Sequence, residues 1–104
     1  MKYEQLIRNV QDWAEPKHIK PQVQLTKIME ELGETSEAYN KRHYEDLVDS
    51  IGDLQVTIII FANLIGVDYQ DALESAWNEI KDRQGKTVDG VFIKDKDLKR
   101  GIRK

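Results

Sequence analysis

The run Val56-Thr57-Ile58-Ile59-Ile60-Phe61 offers water almost no polar face. Taken alone it reads equally well as a buried strand, because it is rich in β-branched residues. It is entered, however, from a 3.6-residue apolar pattern at Leu47, Ile51, Leu54 and Ile58, and the pattern continues through Ala62 and Ile65. One helix from about Glu45 to just before Gly66 accounts for both halves. A helix that is apolar on every side must be covered on every side. The chain has 104 residues, and a globule of that size buries only about 60–70% of its unfolded surface. The missing cover is therefore expected from a second copy of the chain, in a dimer or tetramer.

The other elements follow from the same rules. Leu6, Ile7, Val10, Trp13 and Ala14 recur at helical spacing and predict a first helix over Tyr3–Ala14. Pro16 and Pro21 interrupt it, and Pro21 suits the first turn of a second helix that should run to about Lys41. Leu25, Ile28, Leu32 and Tyr39 form its apolar stripe. His43 and Tyr44 mark a short link to the third helix. Gly66 ends that helix, and Asp68 with Asp71 predicts the start of a fourth. Ala72, Leu73, Ala76, Trp77 and Ile80 are its apolar face, and Gly85 its stop. Asp89-Gly90 between short β-prone pieces signals a small hairpin or ordered loop. The expected architecture is all-α: a single four-helix domain over residues 1–104 with a short C-terminal hairpin or loop, completed by oligomerisation.

Composition removes several function classes. Without cysteine there is no disulfide and no thiolate zinc site. A net charge of −3 argues against a stable nucleic-acid partner. The longest apolar stretch, Val56 to Val67, contains Asn63 and is too short to span a bilayer. The N-terminus has an amphipathic pattern and not that of a signal peptide. A soluble cytoplasmic protein is expected, with the basic stretch KDKDLKRGIRK as a solvated tail.

The chemistry lies in the acids. Glu30, Glu31, Glu34 and Glu37 crowd the second helix, and Asp46, Asp49 and Asp53 the start of the third. With Glu30 set to zero on a helical wheel, Glu34 falls at about 40° and Glu31 at about 100°, beside an apolar stripe spanning roughly 140–260°. Glu31 and Glu34 can converge on one object, while Glu30 and Glu37 are expected in solvent. Asp49 and Asp53 lie one turn apart, and Asp53 leads into the apolar half of its helix. An ordinary acidic helix face explains either cluster by itself. Two clusters levelled by an antiparallel helix pair favour a hard divalent cation between them, since facing like charges cost about 3–4 kcal/mol per pair at an effective dielectric near 20.

Other features are weaker. Glu15-x-x-His18 has di-iron spacing, but Pro16 breaks the helix that motif needs. Trp13 and Trp77 read as core or interface residues, with base stacking as the minority use. Asn78, Lys81 and Arg83 either bind phosphate or complement a helix dipole. Gly33 and Gly52 each cost roughly 0.8–1 kcal/mol inside a helix, which close approach of a helix or ligand would explain.

Lys27-x-x-Glu30-Glu31-x-x-Glu34, Gly52-Asp53 opening an apolar helix, and Asn78-x-x-Lys81-x-Arg83 together resemble the MazG-like nucleoside triphosphate pyrophosphohydrolases, an all-α superfamily. The stretch GKTVDGVFIK resembles short, phage- or Gram-positive-type members. The family pattern is E-x-x-E followed by E-x-x-D. Glu31 and Glu34 match the first half and Asp53 the last acid; the third position is Ser50, with Asp49 the nearest substitute. The resemblance implies Mg2+-dependent hydrolysis of an NTP or dNTP to the monophosphate and pyrophosphate, in nucleotide-pool house-cleaning. It implies Glu31, Glu34, Asp49 and Asp53 as metal ligands, with Glu31 or Glu34 as proton acceptor. Lys27, Asn78, Lys81 and Arg83 would contact phosphates and Trp13 the base. The competing readings are a non-catalytic nucleotide- or metal-binding homologue and a purely structural helical oligomerisation module.

Overall fold

The computed structural model describes residues 1–99. Residues Met1–Gln70 and Asp71–Lys104 form two compact units. The first holds α1 (Tyr3–Ala14), a 3-10 turn (Glu15–Lys17), α2 (Pro21–Asn40) and α3 (Tyr44–Leu64). Helix α4 (Tyr69–Ile80) starts at its end. The ambiguous apolar run is helical, as its entry pattern requires.

Helices α2 and α3 pair most extensively, and α1 packs on α3. Along α2, Gln24, Glu31 and Ala38 are buried, with Ile28 and Thr35 half-buried between them. Along α3, Ser50 and Thr57 are buried, with Leu47, Leu54 and Phe61 half-buried. Both rows alternate steps of three and four, the seam of a coiled-coil pair. Its register is pinned where the Gln24 side-chain amide donates to the Thr57 carbonyl at 3.1 Å. Two turns nearer the link, the same register sets Glu31 level with Ser50.

This seam takes only Ile28, Leu47 and Leu54 from the stripes that the apolar pattern predicts. Leu25, Leu32 and Tyr39 on α2 are exposed, as are Ile51 and Ile58 on α3. They occupy positions flanking the seam on the same side of both helices, where Leu25 stands level with Ile58, Leu32 with Ile51, and Tyr39 with Tyr44. The hairpin thus has an uncovered apolar flank, and Leu32 is 57% exposed. On the opposite flank the corresponding positions are Lys27 and Glu34 on α2, and Asp46, Asp53 and Ile60 on α3. Gly33 and Gly52 meet nothing within 4 Å of where a Cβ would stand, so no contact among the described residues requires either glycine. By length and composition α3 could cross a membrane; in this fold it is the shared partner of α1 and α2.

Both long helices end in the same motif. Beyond α3, the Val67 N–H reaches the Ala62 carbonyl and the Gly66 N–H the Asn63 carbonyl, with Gly66 left-handed at φ 75°. Beyond α2, the His43 N–H reaches the Ala38 carbonyl and the Arg42 N–H the Tyr39 carbonyl, and here the left-handed residue is Arg42 at φ 61°. The Gln55 side-chain amide donates to the Tyr3 hydroxyl at 2.6 Å and the Tyr69 hydroxyl at 3.0 Å, tying α1, α3 and the start of α4 together.

In the second unit, β1 (Gly85–Val88) and β2 (Val91–Lys94) form the antiparallel hairpin that Asp89-Gly90 signals. Both turn residues have positive φ, 51° and 79°. A Cβ on Gly85 would strike the Ile93 carbonyl oxygen, so only glycine fits there. The basic stretch expected to be solvated instead forms α5 (Asp95–Lys99), with Asp97 buried. Its remainder, residues 100–104, lies outside the described residues.

Candidate active site

Glu31 is the centre of the site. Its place in the seam leaves it 6% exposed, and its Oε2 is buried without a hydrogen-bond partner. Its other oxygen, Oε1, stands 3.5 Å from the Lys27 ammonium, which also lies 3.6 Å from Glu30. An orphaned carboxylate oxygen is expensive to bury, and such a group calls for a cation. The sequence wheel set Glu31 at the edge of the buried face; the seam takes it inside, because the large apolar residues are used on the flank.

Glu34 lies one turn on. The charge of Glu31 is the main cause that raises the Glu34 carboxyl above the ordinary glutamate range, followed by desolvation. The two acids expected to converge stand near enough for the charge of one to act on the other. Asp49 and Asp53 are exposed on α3 and do not join them: among the described residues, no three acid or histidine side chains stand close enough to hold a metal ion. Ser50, at the position level with Glu31, is buried and supplies no charge. The orphaned oxygen of Glu31 beside Glu34 suits a cation, and among the described residues no third acid stands with them.

The two acids expected in solvent, Glu30 and Glu37, are exposed, and each pairs with a surface lysine. Glu37 holds Lys41 at 2.7 Å, which lowers the Glu37 carboxyl below its ordinary range. Lys27, a predicted phosphate contact, is engaged by Glu31 and Glu30, which raise its ammonium above the ordinary lysine range, Glu31 most. Trp13 is 58% exposed, with the Lys17 ammonium 3.7 Å above its ring. In the second unit, Asn78 and Arg83 line a cavity of about 490 Å3 in which Lys94 and Lys96 are matched by Glu79, Asp82 and Asp95, and Lys81 does not line it. Arg83 also pairs with Glu79 at 3.7 Å.

Sequence reasoning did not single out Gln24 or Asn63. The Gln24–Thr57 bond sets the register of the acids, and a glutamine in step with Glu31 and Ala38 was its available signal. Asn63 reaches the Glu15 carboxylate from α3, 3.4 Å away. Beside that contact a cavity of about 380 Å3 opens between the 3-10 turn and α3. A larger hollow of about 530 Å3 beside Arg42–Asp46 is formed by one stretch of chain and brings no distant groups together.

A buried acid, Glu31, with the exposed Glu34 beside it on the same helix, is the feature on which the sequence comparisons bear. The MazG nucleotide pyrophosphohydrolase domain matches residues 20–88, and the chain belongs to that family. Enzymes of the family are generally divalent-metal dependent. The chain is also similar to an uncharacterised 18.2 kDa protein from the rep–hol intergenic region of Haemophilus phage HP1, with 38% identity over 69 residues. That match covers 62% of this chain and 42% of the phage protein, so the chain spans less than half of its relative. No solved structure matches.

Proposed function

We propose that the chain hydrolyses nucleoside triphosphates between the α- and β-phosphates, releasing the monophosphate and pyrophosphate, as a cytoplasmic house-cleaning activity. The observation that carries this reading is the unpartnered, buried Oε2 of Glu31 beside Glu34. Glu31 and Glu34 would hold Mg2+, with Asp49 and Asp53 completing the set from α3. When bound, the cation supplies charge neutralisation for the triphosphate and a more acidic water. Glu31 or Glu34, whichever keeps an oxygen free of the cation, would accept the proton of the attacking water.

The chain would work as a homo-oligomer. The apolar flank of Leu25, Leu32, Tyr39, Ile51 and Ile58 carries no charge, and a two-fold axis would match it to itself. Gly33 and Gly52 adjoin its middle rung and would admit a close helix approach.

Pyrophosphate release from a panel of NTPs and dNTPs with Mg2+ tests the activity. Glu34→Gln should abolish it while preserving helicity by circular dichroism, and unchanged turnover would count against the assignment. Ser50 favours one second reading, a homologue that binds nucleotide and metal without turnover. Nucleotide-dependent stabilisation with no product would establish it.

A further inference from the structure

The cavity at the 3-10 turn has the chemistry of a base pocket. Its floor is apolar, from Ala14, Ile60 and Leu64, and its polar groups are Glu15, His18 and Asn63. At about 380 Å3 it has room for a nucleobase. Ile60 lies two turns beyond Asp53 on α3 and on the same flank of the hairpin, about 10 Å away along the helix. That separation suits a nucleotide with its phosphates at the acids and its base at the 3-10 turn. His18 enters the cavity wall from a left-handed conformation, φ 50°, uncommon for a residue with a side chain. The link is short: Pro21 follows three residues later and holds Lys20 extended.

We infer that this cavity binds the base of the nucleotide and selects guanine, with Glu15 and Asn63 as the specificity-determining pair. A carboxylate takes two parallel donors best. Guanine alone among the common bases presents adjacent N–H donors, the ring N1–H and the exocyclic amine, with an acceptor, O6, alongside. Adenine and cytosine set an acceptor nitrogen beside their amine, and uracil flanks its one N–H with carbonyls; each turns a lone pair toward the carboxylate. The Asn63 amide donates to Glu15 only at 3.4 Å, near the limit for such a bond, and can transfer to O6 at small cost. The apolar floor covers a ring face.

This inference rests on the nucleotide reading above, and its test separates the two. The probes are the uncharged nucleosides guanosine, adenosine, cytidine and uridine, titrated without metal into the intact chain and followed by NMR at the Asn63 amide and His18 ring. Guanosine should shift both signals at least tenfold more tightly than the others. Glu15→Gln should remove that preference, Asn63→Ala should weaken it, and Glu34→Gln should leave it unchanged. Equal binding of all four nucleosides, no binding of guanosine, or a preference that survives Glu15→Gln would each overturn the pocket. Pyrophosphate release from all triphosphates at equal rates would overturn it too, and leave the hydrolase reading standing.

Discussion

Gln24 donates its side-chain amide to the main-chain carbonyl of Thr57, 3.1 Å away, inside the contact between α2 and α3. It is a buried polar group made acceptable by one bond, and such groups fix register at some cost in stability. Gln24→Ala should lower the urea unfolding free energy by about 1–2 kcal/mol, through the lost bond and the lost packing. It should also weaken Mg2+-induced stabilisation, because Glu31 sits two turns along the same seam. An unchanged metal response would show that register does not depend on this bond.

Glu34 gives a pH dependence with a defined sign. Its folded-state carboxyl is raised, chiefly by Glu31. It therefore binds protons more readily folded than unfolded, and its contribution to stability is present at low pH and lost as pH rises through its folded value. Glu31→Gln should bring the Glu34 titration, read by NMR, down toward the ordinary glutamate value of 4.5, and should flatten that loss. A Glu34 titration indifferent to the substitution would refute the coupling.

Ser50 stands where a third acid would face Glu31. Ser50→Glu should lower the melting temperature in EDTA through repulsion from Glu31. With millimolar Mg2+ or Mn2+ it should reverse that loss, with a metal affinity about tenfold, or ~1.4 kcal/mol, above the parent. A variant destabilised equally with and without metal would show that the position does not face the cation.

Arg42 occupies the left-handed residue that closes α2, a conformation that costs a residue with a Cβ about 1–2 kcal/mol. Arg42→Gly should raise stability by about 0.5–1 kcal/mol, as relief of strain outweighs the added freedom of the unfolded chain. Thermal melting decides it, and a lower melting point would mean that the Arg42 side chain makes a compensating contact.

The apolar flank predicts association. At micromolar concentration the chain should sediment as a dimer or tetramer, and Leu32→Glu should shift it toward monomer. A parent chain that is already monomeric would refute the proposed interface.

The helices were legible because their punctuation is local: Pro21 opens α2, Gly66 closes α3, and Asp89-Gly90 turns the hairpin. Glu31 and Glu34 were legible as a pair because one turn separates them. Which face of α2 is buried was not. Leu25, Leu32 and Tyr39 are its strongest apolar signal, and they lie outside, whereas the inner row contains Gln24, Glu31 and Thr35. Apolar periodicity locates the surface a helix hides from water, and it does not distinguish hiding within one chain from hiding between chains. Asn63 and Glu15 were out of reach for another reason: only the fold brings residues from α3 and the 3-10 turn together.

The row of polar residues between α2 and α3 has a last consequence. With Gln24, Glu31, Ser50 and Thr57 set among Ile28, Ala38, Leu47, Leu54 and Phe61, that contact gains less from the hydrophobic effect than an all-apolar seam would, so a solitary hairpin is a weak structure. If most of the driving force comes from joining copies, folding and assembly are one equilibrium. Dilution would then melt the helices, and the midpoint of thermal unfolding would climb with protein concentration.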